Sequence, residues 1–190
     1  MVYRNALIVV LGGLMLTMSA TGRGQQQAET AKAPRAPKAM TLTALDYIEI
    51  EQLVAKYSRA LDTCANNGYD YADLYTADGV FAPAINGKPG PRFEGRDRLA
   101  EASGGGKLGC KNVGWIEQGV RHLYPNHVIT ATPTGAIGVV DMLMIGLGGD
   151  PNKIQYDGYY DDVYVKTPQG WRFKSRTHHA VLSEGRRVTR

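Results

Sequence analysis

His122, Tyr124 and Asn126 stand at alternate positions in a stretch that reads as extended chain. Side chains two apart share a strand face. His122, Tyr124, Asn126 and Val128 are therefore expected on one face, and Leu123, His127 and Ile129 on the other. A histidine can take and return a proton near neutral pH, and a phenol and an amide beside it can hold the oxygen of a bound molecule. A second set of this kind is Tyr160, Asp162 and Tyr164, with Tyr159, Asp161 and Val163 turned away from it. A carboxylate buried among aromatic rings has a raised pKa and suits proton abstraction. The other reading of Asp162 is an acidic strand facing solvent or a dimer partner. Val128, Met142 and Met144 supply apolar wall, and polar titratable groups set in such a wall are what a small-molecule site needs. The chemistry in view is proton transfer without a metal. No His-x-His pair shares a face with a carboxylate at defined spacing, and Cys64 and Cys110 form no Cys-x-x-Cys or His–Cys pattern. His178 and His179 are neighbours and point to opposite faces, so at most one can join the site. Trp171 and Phe173 read as core.

These side chains need elements to carry them. Thr43-Ala-Leu-Asp46 reads as a capping box. Behind it Ile50, Leu53, Val54, Tyr57 and Leu61 recur at helical spacing. The spacing predicts one amphipathic helix of about twenty residues that stops near Cys64-Ala-Asn-Asn-Gly68, with Tyr57 on its apolar side. A short helix is expected over Tyr71–Tyr75, a strand from Val80, a loop over Pro83–Pro91 and a third helix over Gly95–Glu101. Ser103–Gly109 reads as a mobile glycine-rich loop. Strands are expected over 119–132, 136–146, 157–167 and 171–182, with turns at Pro133-Thr134-Gly135 and Pro168-Gln169-Gly170. Helices first and antiparallel strands after is an α+β layout. The length of 190 residues suits one domain, placed at 41–182.

The net charge of +4 is carried largely by the two ends, by Arg4, Arg23, Lys32, Arg35 and Lys38 and by Arg186, Arg187 and Arg190. The middle is close to neutral and has no basic stripe interleaved with aromatics, so no nucleic-acid partner is expected. Residues 1–20 read as a secretory signal: Arg4, then an apolar run from Ala6 to Ala20 that ends in small residues. The alternative is a retained membrane anchor. Residues 21–40 read as a disordered spacer and 183–190 as a basic tail. The expectation is export to a periplasm or beyond, with no stable membrane insertion after cleavage. In an oxidising compartment Cys64 and Cys110 either pair or remain two thiols.

Several landmarks occur in a telling order. They are Leu45-Asp46-Tyr47-Ile48-Glu49-Ile50, Tyr57-Ser58-Arg59-Ala60-Leu61-Asp62, Leu74 to Phe81, Gly95-Arg96-Asp97, Arg121-His122-Leu123 with Asn126-His127, Gly158 to Asp162, and Gly170-Trp171-Arg172-Phe173. This set resembles the SnoaL-like branch of the nuclear-transport-factor-2-like superfamily, on its scytalone dehydratase-like side. The resemblance implies a conical α+β barrel: a strongly bent, mostly antiparallel sheet with about three N-terminal helices around one deep pocket, often as a homodimer. It implies no cofactor. It also implies that His122 occupies the place of a pocket histidine acting as acid or base, and Asp62 that of an aspartate orienting a histidine. Asp62 follows Leu61 by about a hundred degrees of helix, so it reaches the pocket only if the helix ends there; otherwise it faces water.

The expected site is then His122, Asp62 and Asp162 as catalytic groups, with Tyr57, Tyr124, Asn126, Tyr160, Met142 and Met144 binding a small-molecule substrate. Two groups of scytalone dehydratase are absent. A first-strand tyrosine is replaced by Phe81-Ala82-Pro83-Ala84, and a second histidine by Val140-Asp141, where Asp141 could serve only if it turns inward. The expected activity is a cofactor-independent lyase, dehydratase or isomerase on a small apolar, aromatic molecule, with a lignin fragment as a specific candidate. The alternatives are an exported binding or assembly module and a structural relative of dioxygenase small subunits.

Overall fold

The computed structural model describes residues 37–181 except 147, 149, 151 and 152. The expected signal at 1–20, nearly all of the spacer and the basic tail at 183–190 lie outside the described residues.

Helix α1 (Ala44–Thr63) starts at the capping box. The Thr43 hydroxyl accepts the Asp46 N–H at 3.3 Å, and the Asp46 carboxylate accepts the Thr43 N–H at 2.8 Å. Asp46 is buried, and Lys166 and the Trp171 indole also donate to it, at 2.6 and 3.0 Å. These bonds, the one from Lys166 foremost, hold its carboxyl well below the usual range and tie the helix start to the last two strands. Ile50, Leu53, Val54 and Tyr57 are buried against the sheet, each such side chain stabilising the fold by roughly 1.5–3 kcal/mol. The helix ends at Cys64 in the left-handed conformation, φ 48°, where a disulfide joins it to Cys110. Of the two readings of these cysteines, the structure shows the pair.

Three short helices follow: α2 (Tyr69–Ala72), α3 (Arg96–Ala102) and α4 (Val113–Glu117). The last is a fourth helix that the sequence does not announce, five residues long and without a side-chain cap. The glycine-rich segment after α3 is packed where a mobile loop was expected. The Gly106 N–H donates to the Asn67 carbonyl at 2.7 Å, and a Cβ on Gly105 would lie 2.1 Å from that same oxygen, so only glycine fits.

The strands are β1 (Tyr75–Ile85), β2 (Lys88–Pro89), β3 (Phe93–Glu94), β4 (Arg121–Leu123), β5 (Val128–Ala131), β6 (Ala136–Ile145), β7 (Ile154–Thr167) and β8 (Gly170–Val181). They form one curved sheet in the order β2-β1-β8-β7-β6-β4, with β3 on β1 and β5 on β6. All pairs are antiparallel except β1 with β8. The strand expected from Val80 starts at Tyr75, and part of the expected loop continues it. A hairpin at Asn86 and Gly87, both at positive φ, leads into β2.

Two irregularities decide what faces inward. The strand expected over 119–132 is broken between β4 and β5 by Pro125 and by Asn126, which has φ 55°. In β8 the pairing runs Tyr164 with Phe173 but Val163 with Ser175. Lys174 is thus the extra residue of a β-bulge, and the inward positions change from odd (Trp171, Phe173) to even (Arg176, Ala180).

Candidate functional site

The last turn of α1 lies against β4. Asp62 is buried because the helix stops one residue later, which is the condition its placement required. Its carboxylate accepts the His122 N–H through both oxygens, at 3.1 and 3.2 Å, and bonds the His122 ring Nδ1 at 2.6 Å. The Ser58 hydroxyl, one turn back on the same helix, donates to the His122 carbonyl at 2.6 Å. Backbone and ring of His122 are both fixed by α1. A carboxylate acceptor at Nδ1 puts the ring proton there and leaves Nε2 as the acceptor nitrogen of the ring. Through His122 the dyad reaches a groove of ≈ 730 Å³ between α1 and the β4–β5 turn, which Tyr124 and His127 also line.

Behind Tyr124 lies a second polar group. Arg176 has no exposed surface, and its Nε is 3.1 Å from the Asp162 carboxylate, its partner across β7 and β8. The rings of Tyr57 and Tyr160 each lie 4.0 Å from the guanidinium carbon, Phe173 at 4.6 Å and Tyr124 at 5.1 Å, so π faces rather than water surround the charge. The approach of Arg176 to Asp162 is an ion pair without a hydrogen bond: Arg176 Nε, Nη1 and Nη2, the facing Asp162 Oδ1 and the Tyr124 hydroxyl have no hydrogen-bond partner among the described residues. The other Asp162 oxygen accepts the Tyr164 hydroxyl at 2.6 Å, and His127 Nε2 lies 3.0 Å from that hydroxyl. Burial lifts the Asp162 carboxyl to about 6 against the pull of Arg176. Burial, and then Arg176, press His127 and His178 down to about 4.

The expected residues divide. His122, Asp62, Tyr57, Tyr124, Tyr160 and Asp162 converge on this side of the sheet, and the Tyr57 ring touches those of Tyr124 and Tyr160. Met142 and Met144 are buried in the core. Asn126 is turned outward, where its amide donates to Asp141 at 3.0 Å. The left-handed Asn126 reverses the alternation, so His127 and not Asn126 follows Tyr124 inward, and Val128 is exposed. Asp141 likewise lies on the outer side, opposite Tyr159, and does not replace the missing histidine. The deep open pocket is not what the described residues show: Tyr57, Tyr71, Tyr164, Phe173 and Arg176 fill the interior.

Sequence reasoning missed Arg176, His127 and the role of Tyr164. The alternation rule placed His127 on the wrong face and gave no reason to select Arg176. Of the adjacent histidines, His178 stacks on Tyr160 at 4.6 Å and His179 on Tyr159 at 4.5 Å, on opposite faces as expected.

A SnoaL-like domain model matches residues 42–177. Among solved structures, a nuclear-transport-factor-2-like protein with a cystatin-like fold from Novosphingobium aromaticivorans is 20% identical, with a TM-score of 0.59 over 72% of this chain and 82% of that one. A second protein of that organism, provisionally assigned as a scytalone dehydratase, is 25% identical, with a TM-score of 0.53 over 72% and 84%. A third, provisionally assigned as an aromatic ring hydroxylase, is 19% identical, with a TM-score of 0.53 over 74% and 92%. No curated protein matches the chain.

Proposed function

The chain belongs to the SnoaL-like family, and from that premise we propose that it is a cofactor-independent lyase, dehydratase or isomerase acting by proton transfer on a small apolar, aromatic molecule. The observation that carries this reading is the 2.6 Å bond between Asp62 and His122 Nδ1, both buried, beside a groove. In a dehydration, His122 Nε2 takes a proton from the carbon next to the one bearing the hydroxyl. The C–H electron pair forms the double bond as the C–O bond breaks. The imidazolium, held by the Asp62 carboxylate, returns the proton to the departing hydroxyl, which leaves as water. In an isomerisation the same proton is returned to another carbon. Tyr124 forms part of the groove wall beside His122. The neighbour provisionally assigned as a scytalone dehydratase supports this reaction class, and a lignin-type aromatic fragment is the narrower substrate proposal.

The test is a panel of aromatic alcohols and diols. The wild type converts at least one member, and His122→Ala slows that conversion by roughly 10²–10⁴-fold. Unchanged turnover in the variant removes His122 from the mechanism. Binding of panel members without conversion turns the reading to a binding module.

Two further proposals go with this reading. Export is supported by the signal-like run at 6–20 and by the Cys64–Cys110 disulfide; recovery of the chain uncleaved from the cytoplasm would contradict it. A homodimer through the outer sheet face is supported by exposed Val128, Ile137, Val139 and Val163. Sedimentation as a monomer at micromolar concentration would remove that.

A further inference from the structure

Two histidines line one groove, and each is keyed to a different buried aspartate. His122 meets Asp62 directly. His127 meets Asp162 through one phenol, along the chain His127 Nε2–Tyr164 Oη at 3.0 Å and Tyr164 Oη–Asp162 Oδ2 at 2.6 Å.

The direction of that chain follows from the groups in it. Asp162, paired with Arg176, is a carboxylate and can only accept. The Tyr164 hydroxyl has one proton and gives it to Asp162. Its remaining lone pair must accept, so the proton facing it from His127 sits on Nε2. That leaves Nδ1 as the acceptor of the His127 ring, on a side chain that lines the groove. Space for the arrangement comes from Gly138 on β6, opposite Asp162. A Cβ there would lie 2.8 Å from the Tyr164 ring, 3.0 Å from His127 Nε2 and 3.1 Å from the Tyr164 hydroxyl.

Resting on the acid–base reading above, we propose that His127 is a second substrate-contacting residue of this groove, its Nδ1 accepting the hydrogen of a substrate hydroxyl while His122 Nε2 moves the proton, with Tyr164 and Asp162 as the positioning residues that fix its tautomer. The two histidines are of opposite tautomer, and this divides the work between them. His122 has a carboxylate on its ring, which stabilises the imidazolium it must become. His127 has a neutral phenol on its ring, and burial and then the Arg176 cation disfavour its charged form, so it stays neutral, with its proton on Nε2, and accepts a hydrogen bond at Nδ1 without taking the proton. The substrate class narrows accordingly to aromatic molecules that bear a free hydroxyl, since an ether or a bare ring gives Nδ1 nothing to accept.

The experiment is nitrogen NMR on the histidine-labelled protein at pH 8, with His127→Gln to assign the signals. The expected result is His127 as the Nε2–H tautomer and His122 as the Nδ1–H tautomer, with Tyr164→Phe turning His127 alone into a tautomer mixture. Added phenol is expected to shift His127 Nδ1, and added anisole to leave it in place. A wild-type His127 protonated at Nδ1 overturns the proposal, and so does a phenol titration that leaves Nδ1 unmoved, whether or not His122 responds. A shift of His122 alone removes His127 and leaves the acid–base reading standing. If His122→Ala turns over normally while the tautomers are as stated, the acid–base reading fails and the geometry of His127 remains.

Discussion

The His122–Asp62 dyad and the Arg176–Asp162 pair are both buried ion-pair geometries, and they are built in opposite ways. Around the dyad the partners are matched. Asp62 accepts from a backbone N–H and a ring, and the His122 carbonyl accepts from Ser58. Around Arg176 they are not. Its Nη atoms make no hydrogen bond among the described residues, and aromatic faces take the place of oxygen acceptors. The dyad fixes one nitrogen and leaves another for the groove, an arrangement suited to moving a proton. The Arg176 pair holds a charge inside an apolar shell, which suits setting the electrostatics and tautomers of its neighbours.

The largest effect that separates the two is on stability. Arg176→Met leaves Asp162 buried without its counter-charge, and urea unfolding is expected to show a loss of about 3–5 kcal/mol, most of it regained when Asp162→Asn is added. A near-neutral single substitution would mean that the aromatic shell, not the pair, stabilises this region. Next comes the disulfide, which joins positions 46 residues apart and sits two residues beyond Asp62. Cys64→Ser with Cys110→Ser is expected to lose about 2–4 kcal/mol, and to lower turnover more than an equally destabilising change in β8. Equal losses of turnover would show that the helix end needs no anchor.

The smallest effect is on the pH dependence of stability. His127, near 4 in the fold against 6.5 for the free side chain, binds fewer protons folded than unfolded between those values. Stability therefore falls as pH drops through that window. Asp162, raised from 3.8 to about 6, works the other way: the folded chain holds its proton more tightly, so its contribution grows as pH falls through 6. His127→Gln should flatten the acid limb by up to one proton's worth of slope, about 1.4 kcal/mol per pH unit, and Asp162→Asn should steepen it. Identical limbs in all three proteins would place both groups in ordinary solvent.

The contrast also explains what could be read from the sequence. The capping box, the apolar stripe of α1 and the alternation along β6 and β7 are local patterns, and they placed Tyr57, Tyr160 and Asp162 on the inner side. Asp62 depended on where one helix ends, which Asn66, Asn67 and Gly68 announce. The Arg176 pair depended on a bulge. Counting back from the turn that pairs Thr167 with Gly170, a regular hairpin puts Ser175 opposite Asp162 and turns Arg176 outward opposite Asp161. One extra residue at Lys174 reverses this, and no residue type at that position signals it. Asn126 did the same to the stretch after His122. Asparagine tolerates positive φ better than most residues, but the strand pattern around it outweighed that hint.

Proton transfer by the His122–Asp62 dyad is tested by the turnover of Asp62→Asn on whichever aromatic alcohol the wild type converts. An amide can still accept the His122 N–H, but it cannot both hold the Nδ1 proton as a carboxylate does and stabilise the imidazolium. Turnover is expected to fall by roughly 10²-fold or more in a protein that remains folded. Wild-type turnover from a folded Asp62→Asn would contradict proton transfer by the dyad.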